Sequence, residues 1–417
     1  METDAKAFTV GCYQIGKKIG QGSFAKVREG IHIPTQTRVA VKVISKKSFE
    51  NDADAHQRFS RELRAFSSCE HPFIARFYDL VEEDANYYII QELAEGGNML
   101  DMVNSKGKLS IEEIRHYFTQ ILSAIEYLHK KMHVMHRDLK AENVLLDRNY
   151  NVRLIDFGLC NILQCEEQIM NTAVGSPAYA PPEMIQGHSY NHAADIWSLG
   201  ILLFAIANCQ LPFEDANTQR LLHKIVFTQP NYPPSFPLLL TDLLKRMLDK
   251  NPETRITLDE IKAHPFVADY VKTEKIIQNC SGDFDDIILS QLGKQGYDVN
   301  KIVQDIQTNK SSQESVAYHI CKRKIIMNQM KIAGIMKSEK SEALIRMSQS
   351  DDIFKPKQPA LLPSIYGTPN RPTGKTPTML IAKTPPKPEI TTRFPTINLP
   401  IHKVKTRTNL YKGKRIL

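Results

Sequence analysis

The sequence predicts an α+β protein in which strands come first and helices follow. Three observations point there. Short runs rich in β-branched and aromatic residues recur as far as Gln91. Strong helical periodicity begins at Ser110 and returns at Asp195. From about Lys337 the periodicity fades into a segment rich in Pro, Thr and Lys.

With 417 residues the chain can bury a full-sized core and hold more than one domain. Hydrophobic residues make up 42%, and no apolar run approaches the ~20 residues that span a membrane. Met1-Glu2-Thr3-Asp4 has neither a basic start nor an apolar stretch, so no secretory signal is expected. The seven cysteines are scattered without paired metal-ligand spacing, which fits reduced thiols in a cytosolic or nuclear protein. The net charge of +8 divides unevenly. Lys355–Leu417 carries 13 Lys and Arg against the single acid Glu389, or +12, which leaves −4 for the rest. The body is near neutral and the tail is basic.

Tyr13–Ile19 alternates weakly and runs into Gly20-Gln21-Gly22-Ser23-Phe24-Ala25-Lys26-Val27. A Gly-x-Gly run also occurs in dinucleotide folds, but there it must open a helix. Here Lys26–Ile33 stays β-prone and reaches Pro34, so a hairpin is expected whose glycines let the backbone close over phosphates. Val39-Ala40-Val41-Lys42 reads as a strand ending in a lysine, Asp54–Ser67 as a helix carrying Glu62, and Phe77–Val81 and Tyr87–Gln91 as two more strands. Ser110–Met132 has the pattern of a core helix, capped by Ser110 with Glu113 three residues on. It leads to His136-Arg137-Asp138-Leu139-Lys140-Ala141-Glu142-Asn143, and then, after Val152–Ile155, to Asp156-Phe157-Gly158. Two carboxylates and an amide held close by a short hairpin suit phosphoryl transfer from a nucleotide. That chemistry needs a group to orient the attacking hydroxyl and oxygen ligands for magnesium. Asp195–Asn208 reads as an apolar helix anchored in the core by Trp197, the only tryptophan.

H-R-D-L-x-x-x-N followed by D-F-G resembles the protein kinases at every signature position, and matching motifs run in order from Cys12 to Phe266. The resemblance implies the bilobal kinase fold over 12–266, with a small mainly β lobe at 12–92 and a large mainly α lobe at 95–266. It implies ATP and Mg2+ as cofactors. Gly20–Val27 would cover the phosphates, with Ala25 replacing a third glycine. Lys42 would touch the α- and β-phosphates with Glu62 as its ion-pair partner. Glu92 and Ala94 would lie at the hinge where backbone groups receive adenine, with Gln91 behind it and Val27, Ala40 and Leu145 around the base. Asp138 would accept the substrate proton and Lys140 would steady the transferring phosphate, a lysine that marks Ser/Thr specificity. Asn143 and Asp156 would hold magnesium.

Further roles follow from the same resemblance. Arg137 is expected to be buried and to need an anion, which phosphorylated Thr172 would supply through an upstream kinase. Ser176 would pack on Asp138 and Lys140, Glu183 would pair with Arg255, and Asp195 would hold the His136–Arg137 backbone, while Phe157 and Gly158 complete the second triplet. Ala141 in place of the commoner proline resembles the microtubule-affinity-regulating kinases, relatives of the AMP-activated (SNF1-like) kinases in the calcium/calmodulin-dependent-kinase-like group. Glu142 stands where related kinases meet a substrate arginine, but Asn98 replaces the usual acid, so a weaker arginine preference is expected.

Asp283–Lys324 has the pattern of three short helices with Gly296-Tyr297 at the first turn, and resembles a ubiquitin-associated (UBA) domain; a generic helical extension is the other reading. Residues 337–417 should form a disordered basic tail with Thr-Pro steps at Thr368, Thr376 and Thr384. It suits an anionic surface such as acidic lipid or a microtubule, or is a solvated linker; no nucleic acid partner is expected. The expectation is a cytoplasmic protein Ser/Thr kinase in intracellular signalling, with the nucleus as a second location. The alternative, a pseudokinase scaffold, would have lost Lys42, Asp138, Asn143 or Asp156, and all four are present.

Overall fold

The computed structural model describes residues 7–21, 25–49, 55–156, 177–268, 272–275, 277, 285–308 and 310–334. Strands β1 (Phe8–Val10), β2 (Tyr13–Gln21), β3 (Ala25–His32), β4 (Thr37–Ser45), β5 (Phe77–Glu82) and β6 (Asn86–Glu92) form one antiparallel sheet, ordered β1-β2-β3-β4-β6-β5. β4 lies inside the sheet. Its Val39, Ala40 and Val41 are buried in succession, as a strand covered on both faces requires. β1 was not expected, because a three-residue strand with only Val10 buried leaves too short a pattern to read. Helix α1 (Ala55–Ser68) packs on the sheet through Phe59 and Phe66.

The larger lobe contains α2 (Met99–Lys106), α3 (Ile111–Glu126), the hairpin β7 (Val144–Leu146) and β8 (Val152–Leu154), then α4 (Pro182–Ile185), α5 (Ala193–Asn208), α6 (Thr218–Phe227), α7 (Leu238–Met247) and α8 (Leu258–Ala263). Ser110 and Glu113 close a capping box at the start of α3, satisfying two amides the first turn leaves open. The helix expected through Met132 instead widens into a π turn at Tyr127–Lys131. Trp197 on α5 is fully buried and stacks on Phe213 at 6.1 Å.

Beyond them lie α9 (Asp285–Lys294), α10 (Val299–Gln307) and α11 (Gln313–Ile332). Ile288, Leu292, Ile302, Ala317 and Tyr318 form a small core among them. α11 also reaches away from that core. Its Val316 and Ile320 pack with Val10, Tyr13, Ile15 and Tyr78 of the sheet, and its Ile326 and Met330 join the main core. The helix runs past Lys324 to Ile332, and there Ile326 and Met330 are its buried contacts with the main core. The tail from 337 onward lies outside the described residues.

Candidate active site

The β7–β8 hairpin brings the two signature segments together by pairing Val144 with Leu154. Asn143 donates its amide to Asp138 O at 2.7 Å and to Asp138 Oδ2 at 2.8 Å. That leaves the Asn143 carbonyl oxygen as the atom a cation could use. Lys140 Nζ donates to both Asp138 carboxylate oxygens at 2.8 Å. Asp156, at φ 61°, follows the hairpin, and its Oδ1 lies 2.6 Å from Lys42 Nζ of β4. Two carboxylates, an amide and two ammonium groups from both lobes therefore converge.

The loop is held from beneath. Asp195 of α5 accepts from His136 N at 2.7 Å, Arg137 N at 2.9 Å and His129 Nε2 at 2.7 Å. Burial works against its charge, but these donors hold the carboxyl below its ordinary value. Burial also lowers the pKa of His136, against the pull of Asp195. Arg137, expected to be buried, is exposed. What the protein fixes is its backbone, at φ 67°, and water can solvate the guanidinium. Arg255 donates to Glu183 through two nitrogens at 2.8 and 2.9 Å, a buried bidentate pair.

On the nucleotide side, Gly20 pairs with Val27 and Gln21 with Lys26, while Ala25 opens β3. Ala40 and Gln91 face each other across β4 and β6, both buried. Gln91 Oε1 has no hydrogen-bond partner among the described residues. Leu145 bridges to Asn98 at the exit of the hinge. Gly96 is required there, since a Cβ would stand 2.4 Å from Asp147 O. Gly22, Ser23, Phe24, Phe157, Gly158, Thr172, Ser176 and the side chain of Glu62 lie outside the described residues; the Glu62 backbone belongs to α1.

Glu92 carries more than the sequence indicated. Its Oε1 accepts from Arg153 Nε at 2.8 Å, and its Oε2 from Arg323 Nε at 3.0 Å and Arg323 Nη2 at 2.6 Å. Burial would push this carboxyl up, but Arg323 and Arg153 outweigh it and hold the pKa at about 2. Arg153 sits in the middle of β8 and Arg323 in the middle of α11, and neither local pattern marks a buried partner. On the substrate side, Glu142 Oε2 is buried without a partner among the described residues, and burial raises its pKa. Asn98 caps α2, its Oδ1 accepting from Asp101 N at 2.8 Å and its Nδ2 donating to Asp101 Oδ2 at 2.9 Å.

Comparison with known proteins agrees with this geometry. The protein kinase domain family matches residues 13–267. The chain is 35% identical over 316 residues to the SNF1-related protein kinase catalytic subunit alpha KIN12 of Arabidopsis thaliana, covering 74% of this chain and 63% of that protein. It is 40% identical over 254 residues to CBL-interacting protein kinase 24 of Oryza sativa subsp. japonica, covering 61% and 56%. It is 34% identical over 330 residues to the hormonally up-regulated neu tumor-associated kinase homolog A of Xenopus laevis, covering 76% and 47%. The chain thus spans under two thirds of the length of these relatives. With the family matched across more than half of its residues, the chain belongs to the protein kinases and resembles their SNF1-related branch.

Proposed function

We propose that this chain transfers the γ-phosphoryl group of ATP to Ser and Thr hydroxyls of protein substrates. The observation that carries the reading is the pairing of Lys42 with Asp156 at 2.6 Å beside Asp138 held by Lys140 and Asn143 at 2.7–2.8 Å, the two groups joined by the β7–β8 hairpin. ATP with magnesium supplies the electrophile and its charge neutralisation. Asn143 and Asp156 offer the hard oxygen ligands magnesium takes. Adenine fits against the 92–94 backbone beside Ala40, with the unmet Gln91 Oε1 behind it. Asp138 orients the substrate hydroxyl and takes its proton, with Lys140 fixing the carboxylate.

Activation by an upstream kinase at Thr172 would give the exposed Arg137 guanidinium a dianion to pair with bidentately. Glu142 favours a basic residue in the substrate, because its Oε2 lacks a donor among the described residues. Asn98, already bonded within its own turn, adds no charge to that recognition. We read the three C-terminal helices as a UBA-like regulatory unit and the basic tail as a contact for acidic lipid or microtubules in a cytoplasmic signalling protein. No helix among the described residues is long and apolar enough to cross a membrane.

Peptide-library phosphorylation by wild type beside Asp138→Ala tests the assignment. A loss of about 10²- to 10⁴-fold is expected for removing the proton acceptor. Undiminished signal in Asp138→Ala would overturn it.

A further inference from the structure

One side chain outside the matched kinase domain is fastened to the candidate nucleotide site. Arg323 of α11 is buried and uses its guanidinium on four acceptors. Nη1 donates to His71 O at 2.8 Å, Nη2 to Pro72 O and Ile74 O at 2.9 Å each, and Nε and Nη2 to Glu92 Oε2. Glu92 ends β6 and begins the hinge. Its amide donates to Arg76 O at 2.8 Å and its Oε2 accepts from Arg76 N at 3.1 Å. The loop whose carbonyls Arg323 binds is in turn tied to β8, with Ala75 N bonded to Leu154 O at 3.0 Å and Leu154 N to Phe73 O at 2.8 Å. β8 ends two residues before Asp156. A single planar fork thus joins the hinge, the 71–74 loop and the strand that delivers Asp156.

We propose that Arg323 is a positioning residue for the nucleotide: from the C-terminal helix it fixes Glu92, and through Glu92 the 92–94 backbone, and so sets the affinity for the adenine nucleotide. This rests on the reading of 91–94 as the adenine-binding edge. The chemistry requires arginine. Three carbonyls and a carboxylate arranged around one group need several N–H donors in a fixed plane, and an ammonium offers three on a mobile stem. Arg153 cannot substitute, since its Nη1 and Nη2 already serve Val152 O at 2.7 Å and Asp147 Oδ2 at 2.9 Å. Docking of the helix is supplied separately by Val316, Ile320, Ile326 and Met330, so the arginine can be changed while the helix keeps its apolar contacts.

The test uses the full chain with Arg323→Gln, Arg323→Lys and, as a control on the same helix, Lys324→Ala, whose exposed lysine donates to Thr37 Oγ1 at 3.0 Å. Titration calorimetry with ADP and a non-hydrolysable ATP analogue is read with steady-state kinetics, on protein shown by circular dichroism to be folded. For Arg323→Gln, Kd and the KM for ATP should rise roughly five- to tenfold, with kcat and the peptide KM within about twofold. Amides 92–94 should exchange hydrogen faster. Arg323→Lys should show most of the same loss, and Lys324→Ala none. If Arg323→Gln does not fold, Arg323→Lys is read by the same criteria. Wild-type affinity in a folded Arg323 variant, or a loss confined to kcat, overturns the positioning role. Failure of wild type itself to bind either nucleotide overturns the adenine reading instead.

Discussion

Residues in this protein divide by whether their partner is near or far in the chain. Asp138, Lys140 and Asn143 meet each other within five positions, and their motif alone announced them. Glu183 and Arg255 are 72 positions apart yet form a buried bidentate pair, so only the resemblance pointed to it. Breaking it should leave an uncompensated charge: Arg255→Met is expected to lose about 3–5 kcal/mol of stability, read by urea denaturation. Glu142 is expected from the resemblance to meet a basic substrate residue, but the burial of its Oε2 without a partner among the described residues has no mark in the sequence. Glu142→Gln should cut the discrimination between peptides with and without the basic residue by roughly tenfold, the worth of a charge-assisted hydrogen bond. Unaltered discrimination in a peptide array would count against that contact. The burial expected for Arg137 failed because sequence shows a residue's neighbours in the chain, not whether water reaches its head group.

At the level of elements, strands and helices with clear periodicity were read to within a few residues, and what escaped was short or long-range. β1 is too short to show a period, and the π turn after α3 has the same apolar spacing as the helix it ends. Residues 157–176, which hold the expected phosphosite, lie outside the described residues. The hinge exit yields an element-level prediction. Gly96 lies against Asp147 O, and Gly96 N donates to Leu146 O at 2.8 Å, so backbone stands on the side a methyl would enter. Gly96→Ala should therefore push hinge and β7 apart, costing about 1–3 kcal/mol and weakening nucleotide binding, as melting curves and calorimetry would register.

For the molecule as a whole, burial of histidines sets an acid limit. His71 and His319 are pushed down to about 3 and His32 to about 4, in each case chiefly by burial. Unfolded, each titrates near the ordinary histidine value of 6.5, so between these values the unfolded chain holds more protons. Stability should be complete above that value and fall as pH drops toward 3–4, by about 1.4 kcal/mol per pH unit for each histidine. Melting temperatures from pH 7 to 5 check this, and His319→Gln should flatten the slope. A slope unchanged in His319→Gln would remove it from the account.

Arg323 alters where this kinase ends. The carbonyls of His71, Pro72 and Ile74 find their donor about 250 positions later, beyond the motif-bearing 13–267. A unit trimmed at its last motif would keep Lys42, Asp138, Asn143 and Asp156 and still take the arginine donor from the carbonyls of Pro72 and Ile74 behind its hinge, while His71 O would keep the Ile74 amide. Its measured ATP affinity would then describe a different enzyme, and inhibitors ranked on it would be ranked against the wrong pocket.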